Sequence, residues 1–240
     1  MAITTYGDIN QRTADYVAKT MLDHAEPILV LSKFAQIKPI PGNTASSVAF
    51  RRPIPFKPAL RPLVEGVTPQ SHKISYEDVR MRLQQFGDLA EITDWMDDLS
   101  EDPVMQNIIS LSGEQAAETE EMLLWGAIKA GTNRIFTTGS QRSQVNGVLT
   151  LTKIRAAVRT LQRNRAKKIT SILDGSTNVM TRPVEASYVA FAHTDLAPDI
   201  RNLPGFVPCA QYGNRSVLSP YEFGDVEDIR FILSPLLEPY

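Results

Sequence analysis

The sequence predicts an α+β chain organised around one long helix, with an extended two-stranded hairpin on the N-terminal side of it. Three observations predict this. Apolar residues keep helical spacing from Val104 to Ile128, two alternating stretches flank a proline-rich segment between Val48 and Leu83, and short apolar runs with strand character follow after residue 168.

Residues 11–25 read as a short helix, with Ala14, Val17, Ala18, Met21 and Leu22 at helical spacing and Pro27 marking its end. Ile28–Leu31 is a short apolar element. Beyond it, Val48, Phe50, Ile54 and Phe56 alternate with other residues, and Val79, Met81 and Leu83 alternate with Arg80, Arg82 and Gln84. The two stretches read as one hairpin, joined by roughly 17 to 20 residues around Leu60–Lys73, a span longer than connections inside compact domains. Seven of the chain's 16 prolines lie between Pro39 and Pro69, and their missing N–H groups exclude the segment from the middle of a sheet. The hairpin is therefore expected to project. Its apolar residues Phe50, Ile54, Phe56, Leu60, Leu63 and Val64 would then need cover from another copy.

Asp102-Pro103 reads as a helix start, a capping acid followed by proline at the first helical position, and Gly131 reads as the stop. About 28 residues at 1.5 Å each give a rod of roughly 42 Å. Asn146-Gly147 is a tight-turn signal, and Thr150 or Thr152 can cap a second helix with the stripe Ile154, Ala157, Val158, Leu161. Ile169–Leu173 reads as a strand closed by Asp174-Gly175, Tyr188–Ala192 as a strand, Asp195–Leu203 as a short helix ended by Pro204-Gly205, and Ile229–Leu233 as the last strand.

Charge is arranged in blocks. Leu83–Ile128 holds eleven acids and no Lys or Arg, and Lys129–Leu173 holds ten bases and no acid. Arg51–Arg82 carries seven bases against Glu65, Glu77 and Asp78. Same-sign blocks repel themselves, so each is best accommodated beside an opposite block or a charged partner. At 42% apolar and 22% charged residues, wholesale disorder is excluded. The single cysteine, Cys209, excludes an intrachain disulfide. Apolar runs such as Ile28–Leu31 fall far short of the ~18 residues a membrane span needs, and Met1–Asp8 has no signal-peptide character.

Catalytic constellations are missing. No phosphate-binding glycine loop, H-E-x-x-H or G-x-S-x-G occurs. His24, His72 and His193 lie on separate segments; His193 with Asp195 offers a base beside a carboxylate, or else a helix-capping turn. Cys209 reads as a packing residue. Asp97-Asp98 and Glu120-Glu121 can bind a cation or decorate helix ends. No cofactor or metal set is expected, and the chain is expected not to be an enzyme. The run Arg163–Lys168 has the charge for loose contact with nucleic acid but no interleaved aromatics.

Several stretches carry a family resemblance: Ala2–Ile9, Glu26–Phe34, Phe50-Arg51-Arg52-Pro53-Ile54-Pro55-Phe56, Glu65–Pro69, Gly113–Thr119, Arg182–Ala186, Ala190–Leu196 and Val226–Arg230. They resemble major capsid proteins of tailed phages, the branch related to the coat protein of the N-four-like phages. That resemblance implies a Hong Kong 97-type shell fold with an N-terminal arm (1–46), an extended hairpin loop (47–85), a peripheral domain (86–148) with spine helix 103–130, and an axial domain returning to the peripheral domain (149–240). Related chains generally continue beyond the segment Ser234–Tyr240, a departure that bears on the closing strands of the peripheral domain.

The implied function is a shell subunit that self-assembles into pentamers and hexamers of an icosahedral head in the virion, put together in the host cytoplasm. The implied partners are copies of itself, packaged double-stranded DNA touched without sequence specificity, and scaffold, portal or decoration proteins, with no membrane. The expected intersubunit contacts are Arg51, Arg52, Ile54, Phe56, Lys57, Leu60, Arg61, Leu63 and Val64 of the hairpin on an acidic spine face, Glu114, Glu118 and Glu121. Lys57 and Lys73 are the hairpin lysines that a covalent Lys–Asn cross-link, known in part of the wider fold group, would need. The alternatives are a nanocompartment shell like the encapsulins and, in a different class, a small hydrolase using His193 and Asp195.

Overall fold

The computed structural model describes residues 12–25, 28–40, 46–60, 62–63, 65–69, 71–93, 95, 101, 103–174 and 180–238. The chain divides into two compact units, one of residues 36–93 and one of residues 1–35 with 94–240.

The smaller unit is the hairpin. Strands β1 (Ser47–Pro53) and β2 (Tyr76–Arg82) pair antiparallel with Val48 opposite Met81 and Phe50 opposite Val79. Alternation therefore puts these four on one face, as the period-2 pattern predicts. Ile54 and Phe56 lie beyond the strand, where the connection from residue 54 to residue 75 begins. None of the described residues of this unit is buried; Ile40, Val48, Phe50 and Ile92 are half-buried and the rest exposed.

The larger unit holds helices α1 (Arg12–Ala25), α2 (Val104–Lys129), α3 (Leu151–Arg163) and α4 (Ala197–Arg201). It also holds strands β3 (Ile169–Asp174), β4 (Met180–His193), β5 (Phe206–Pro208), β6 (Glu222–Val226) and β7 (Ile229–Ser234). The strands form one mixed sheet in the order β3-β4-β7-β6-β5, in which β4 and β7 run parallel and the other pairs antiparallel. β7 has a neighbour on both sides and all six of its residues are buried, which suits its nearly unbroken apolar run. Phe231, Ile229 and Leu233 join Ile154 of α3, Ile200 of α4, Tyr188 and Val226 in the core. Strand β4 is longer than its apolar run Tyr188–Ala192 indicates. Its first half pairs with β3 alone, where Pro183 can lack an N–H.

Two helix caps differ from expectation. Pro103 occupies the cap of α2 rather than its first turn, and Asp102 lies outside the described residues. Thr150 occupies the cap of α3 through its backbone only. The stop of α2 is as expected, with the Gly131 amide donating to Ile128 O. The 26 residues of α2 make a rod of about 39 Å.

The face on which α2 packs is the principal surprise. Its buried residues are Gly113, Ala117 and Glu121, four apart, while Met105, Leu111, Met122, Leu123 and Ile128 are exposed. Small residues permit close approach: a Cβ on Gly113 would sit 2.6 Å from Met21 O of α1. The Glu121 carboxylate turns inward, where its Oε1 accepts the Val30 amide at 2.6 Å and the Leu31 amide at 2.8 Å. Glu121 thereby satisfies two donors of the chain leaving α1, which sequence reading had as a plain apolar run.

Candidate assembly interface

Of the expected hairpin contacts, Leu60 is 89% exposed, Leu63 78%, Phe56 58% and Ile54 47%. Arg61 and Val64 lie outside the described residues. Val79 and Met81 extend the uncovered apolar face along the strands, and both are more than half exposed. An isolated two-stranded hairpin is marginal in water even with side-chain support, so this surface lacks a core from its own unit.

The arginines behave differently from expectation. Arg51 forms a fork with Asp78 directly across the ladder, at 2.8 and 3.0 Å, and Arg52 pairs with Glu77 at 2.6 Å. The bidentate bond from Arg51 holds the Asp78 carboxyl below the usual carboxylate range. Both arginines are thus neutralised within the hairpin, because the strand register sets Glu77 and Asp78 opposite them. Lys57 and Lys73, exposed, form no ion pair among the described residues.

The acidic face also divides. Glu118 is exposed, Glu114 is half-buried with its carboxylate 3.9 Å from His24, and Glu121 is fully buried. Glu121 is therefore corrected from surface partner to internal anchor: its neighbours Gly113 and Ala117 bring the helix too close to α1 and the following chain to leave it outside. No signal in the sequence separates it from Glu120, since the amides it binds lie 90 residues away.

At the C-terminal end of α2 the larger unit opens into a groove of about 690 Å³. Trp125, Ile128, Ile135 and Phe136 supply apolar wall, and Lys129, Arg134 and Arg142 stand around it. Sequence reading did not single out these residues, because they come together only through the turns of residues 131–145. Trp125 Nε1 donates to Glu238 O at 2.8 Å.

The pair named for the enzymatic alternative is formed, with His193 Nδ1 3.2 Å from Asp195 Oδ2. His193 Nδ1 accepts the Asp195 amide at 3.1 Å, the geometry of a helix-capping turn, and Asp195 is almost wholly exposed. Cys209 Sγ donates to Glu222 O, and burial pushes its thiol pKa up, away from the nucleophilic thiolate. Among the described residues no cluster of His, Cys, Asp or Glu could hold a metal ion, and no helix is long and apolar enough to cross a membrane. Asp97 and Asp98 lie outside the described residues. In the basic block, Arg155 is claimed by Glu227 (2.9 Å) and Lys168 by Asp228 (2.9 Å).

The hairpin unit has no buried residue among those described, and α2 leaves Met105, Leu111, Met122, Leu123 and Ile128 exposed. A family model for phage capsid proteins matches residues 76–239, from the first residue of β2 through the sheet. The chain belongs to the phage capsid protein family. No curated protein matches it. As a capsid protein it is a structural component of the virion, and its mixed helix-and-sheet architecture accords with that membership.

Proposed function

We propose that this capsid protein is the main shell subunit of a tailed-phage head with the Hong Kong 97-type fold. On this reading it assembles into pentamers and hexamers around double-stranded DNA, and each hairpin lies on a neighbouring copy. The observation that carries the reading is the uncovered apolar surface of the hairpin, which has no buried residue among those described. Apolar burial at roughly 25 cal/mol per Å² supplies the adhesion. Cations of the hairpin with no ion pair among the described residues, Lys57 and Lys73 with them, set orientation against exposed acids such as Glu118, with each exposed pair worth only ~0–1 kcal/mol.

The test is the double substitution Phe56→Ser with Leu63→Ser. Negative-stain micrographs should show particles from the native chain and none from the variant, while circular dichroism shows both folded. Intact particles from the variant would refute the reading. Particles that purify with nucleic acid support a virus head over a compartment shell.

A further inference from the structure

Helix α3 ends in cations that the fold does not use. Arg155, Arg159 and Arg163 stand four apart on one ridge of the helix, about 6 Å from one to the next, and Arg165 and Lys167 follow its end. Arg155 is paired with Glu227 and Lys168 with Asp228. The other four, Arg159, Arg163, Arg165 and Lys167, are exposed and form no ion pair among the described residues.

Holding them there works against local stability. Like charges four apart on a helix repel. The negative end of the helix favours a cation in the last turn, which covers Arg163 but not Arg159, a full turn earlier. The helix closes with the Ala166 amide donating to Leu161 O and the Arg165 amide to Gln162 O. That turn sets Arg165 at φ 55°, in the left-handed region where glycine is the usual residue. The surroundings say what such a face can meet. Thr160, Gln162 and Asn164 around the ridge are exposed and polar, and Leu161, seven residues after Ile154, lies on the side of that buried residue. Contact surfaces between proteins carry an apolar or aromatic centre, and this ridge has none. A phosphate backbone needs only cations.

We propose that the outer ridge of α3 and the turn after it contact the phosphate backbone of double-stranded DNA through Arg159, Arg163, Arg165 and Lys167, without reading its sequence. The inference names a contact site for the duplex that the proposed shell encloses, and it rests on that reading. The site differs from the basic run Arg163–Lys168: Arg159 joins it, and Lys168, taken by Asp228, leaves it.

The test follows binding of a short labelled duplex to the full chain by fluorescence anisotropy across a salt series, below the protein concentration at which particles form. Arg159→Gln, Arg163→Gln, Arg165→Gln and Lys167→Gln together should flatten the slope of log affinity against log salt by about 3 to 4, since each phosphate contact contributes roughly 0.9. Arg159→Lys, Arg163→Lys and Arg165→Lys, which keep the charge, should retain the native slope. Arg155→Gln with Lys168→Gln removes charges already neutralised and should change the slope by less than about 1. A native slope in the four glutamine substitutions overturns the proposal, as does an equal loss per charge from the paired residues. Polyglutamate displacing the label as well as unlabelled duplex does would make an acidic polypeptide the occupant and overturns it too. If the slope fails to respond while the native chain forms particles, only this contact fails. If the slope responds and no particles form, the shell reading fails and the contact stands.

Discussion

The sheet around β7 and the hairpin of β1 and β2 are both built from alternating or continuous apolar residues, yet they dispose of them in opposite ways. Every residue of β7 is buried, including Arg230, which donates to Ser216 O at 2.7 Å. No described residue of the hairpin unit is buried. The difference shows that strand pairing alone does not make a core. β7 has two neighbours and packs against α3 and α4, whereas the hairpin has one ladder and a bare face. The same division runs through α2, where Gly113, Ala117 and Glu121 are buried while Met105, Leu111, Met122, Leu123 and Ile128 are exposed. On the proposed function, stability of the subunit and adhesion between subunits would be carried by different residues.

Substitutions can break or sharpen that division. Phe231→Ala in the sheet should cost about 3–5 kcal/mol, read as a fall in the urea midpoint of the isolated subunit. Glu121→Ala should cost about 2–4 kcal/mol, because it strands the buried amides of Val30 and Leu31, and Glu121→Gln, which keeps an acceptor, should cost less. Gly113→Ala should destabilise by about 1–3 kcal/mol despite the better helix propensity of alanine, since the new methyl meets backbone of α1. Met81→Ser should change subunit stability by no more than about 0.5 kcal/mol while reducing particle yield in micrographs. A large loss of subunit stability from this last change would mean the hairpin face has a core of its own.

The smallest effect concerns Arg155 and Glu227, an exposed pair. The hydrogen bond from Arg155 holds the Glu227 carboxyl below its ordinary value. The stabilisation is thus fully present above the ordinary glutamate value of about 4.3 and is lost as pH falls through the lower folded value. Thermal melts of Glu227→Gln and the native chain should differ slightly at neutral pH and converge in acid.

Much of this was legible in the residues. The two hairpin strands and their shared apolar face follow from Val48 and Phe50 alternating on one side and Val79 and Met81 on the other, and the limits of α2 follow from Pro103 and Gly131. The inward face of α2 was not legible, because apolar residues occur around most of its circumference and only the close approach at Gly113 decides which side packs. The roles of Glu121, Arg51 and Arg52 depend on partners 25 to 91 residues away. β5 has three residues and β6 an irregular register between Glu222 and Gly224, so neither presents a clear period. The groove depends on irregular chain after α2, for which local patterns give no spatial prediction.

Hydrogen–deuterium exchange on isolated and assembled protein tests the central claim most directly. Amides of residues 47–52 and 76–82 should exchange fast in the isolated subunit and become strongly protected in the particle, while β7 is protected in both. Equal protection of the hairpin before and after assembly would contradict the account, because it would show that this surface is already covered within a single chain.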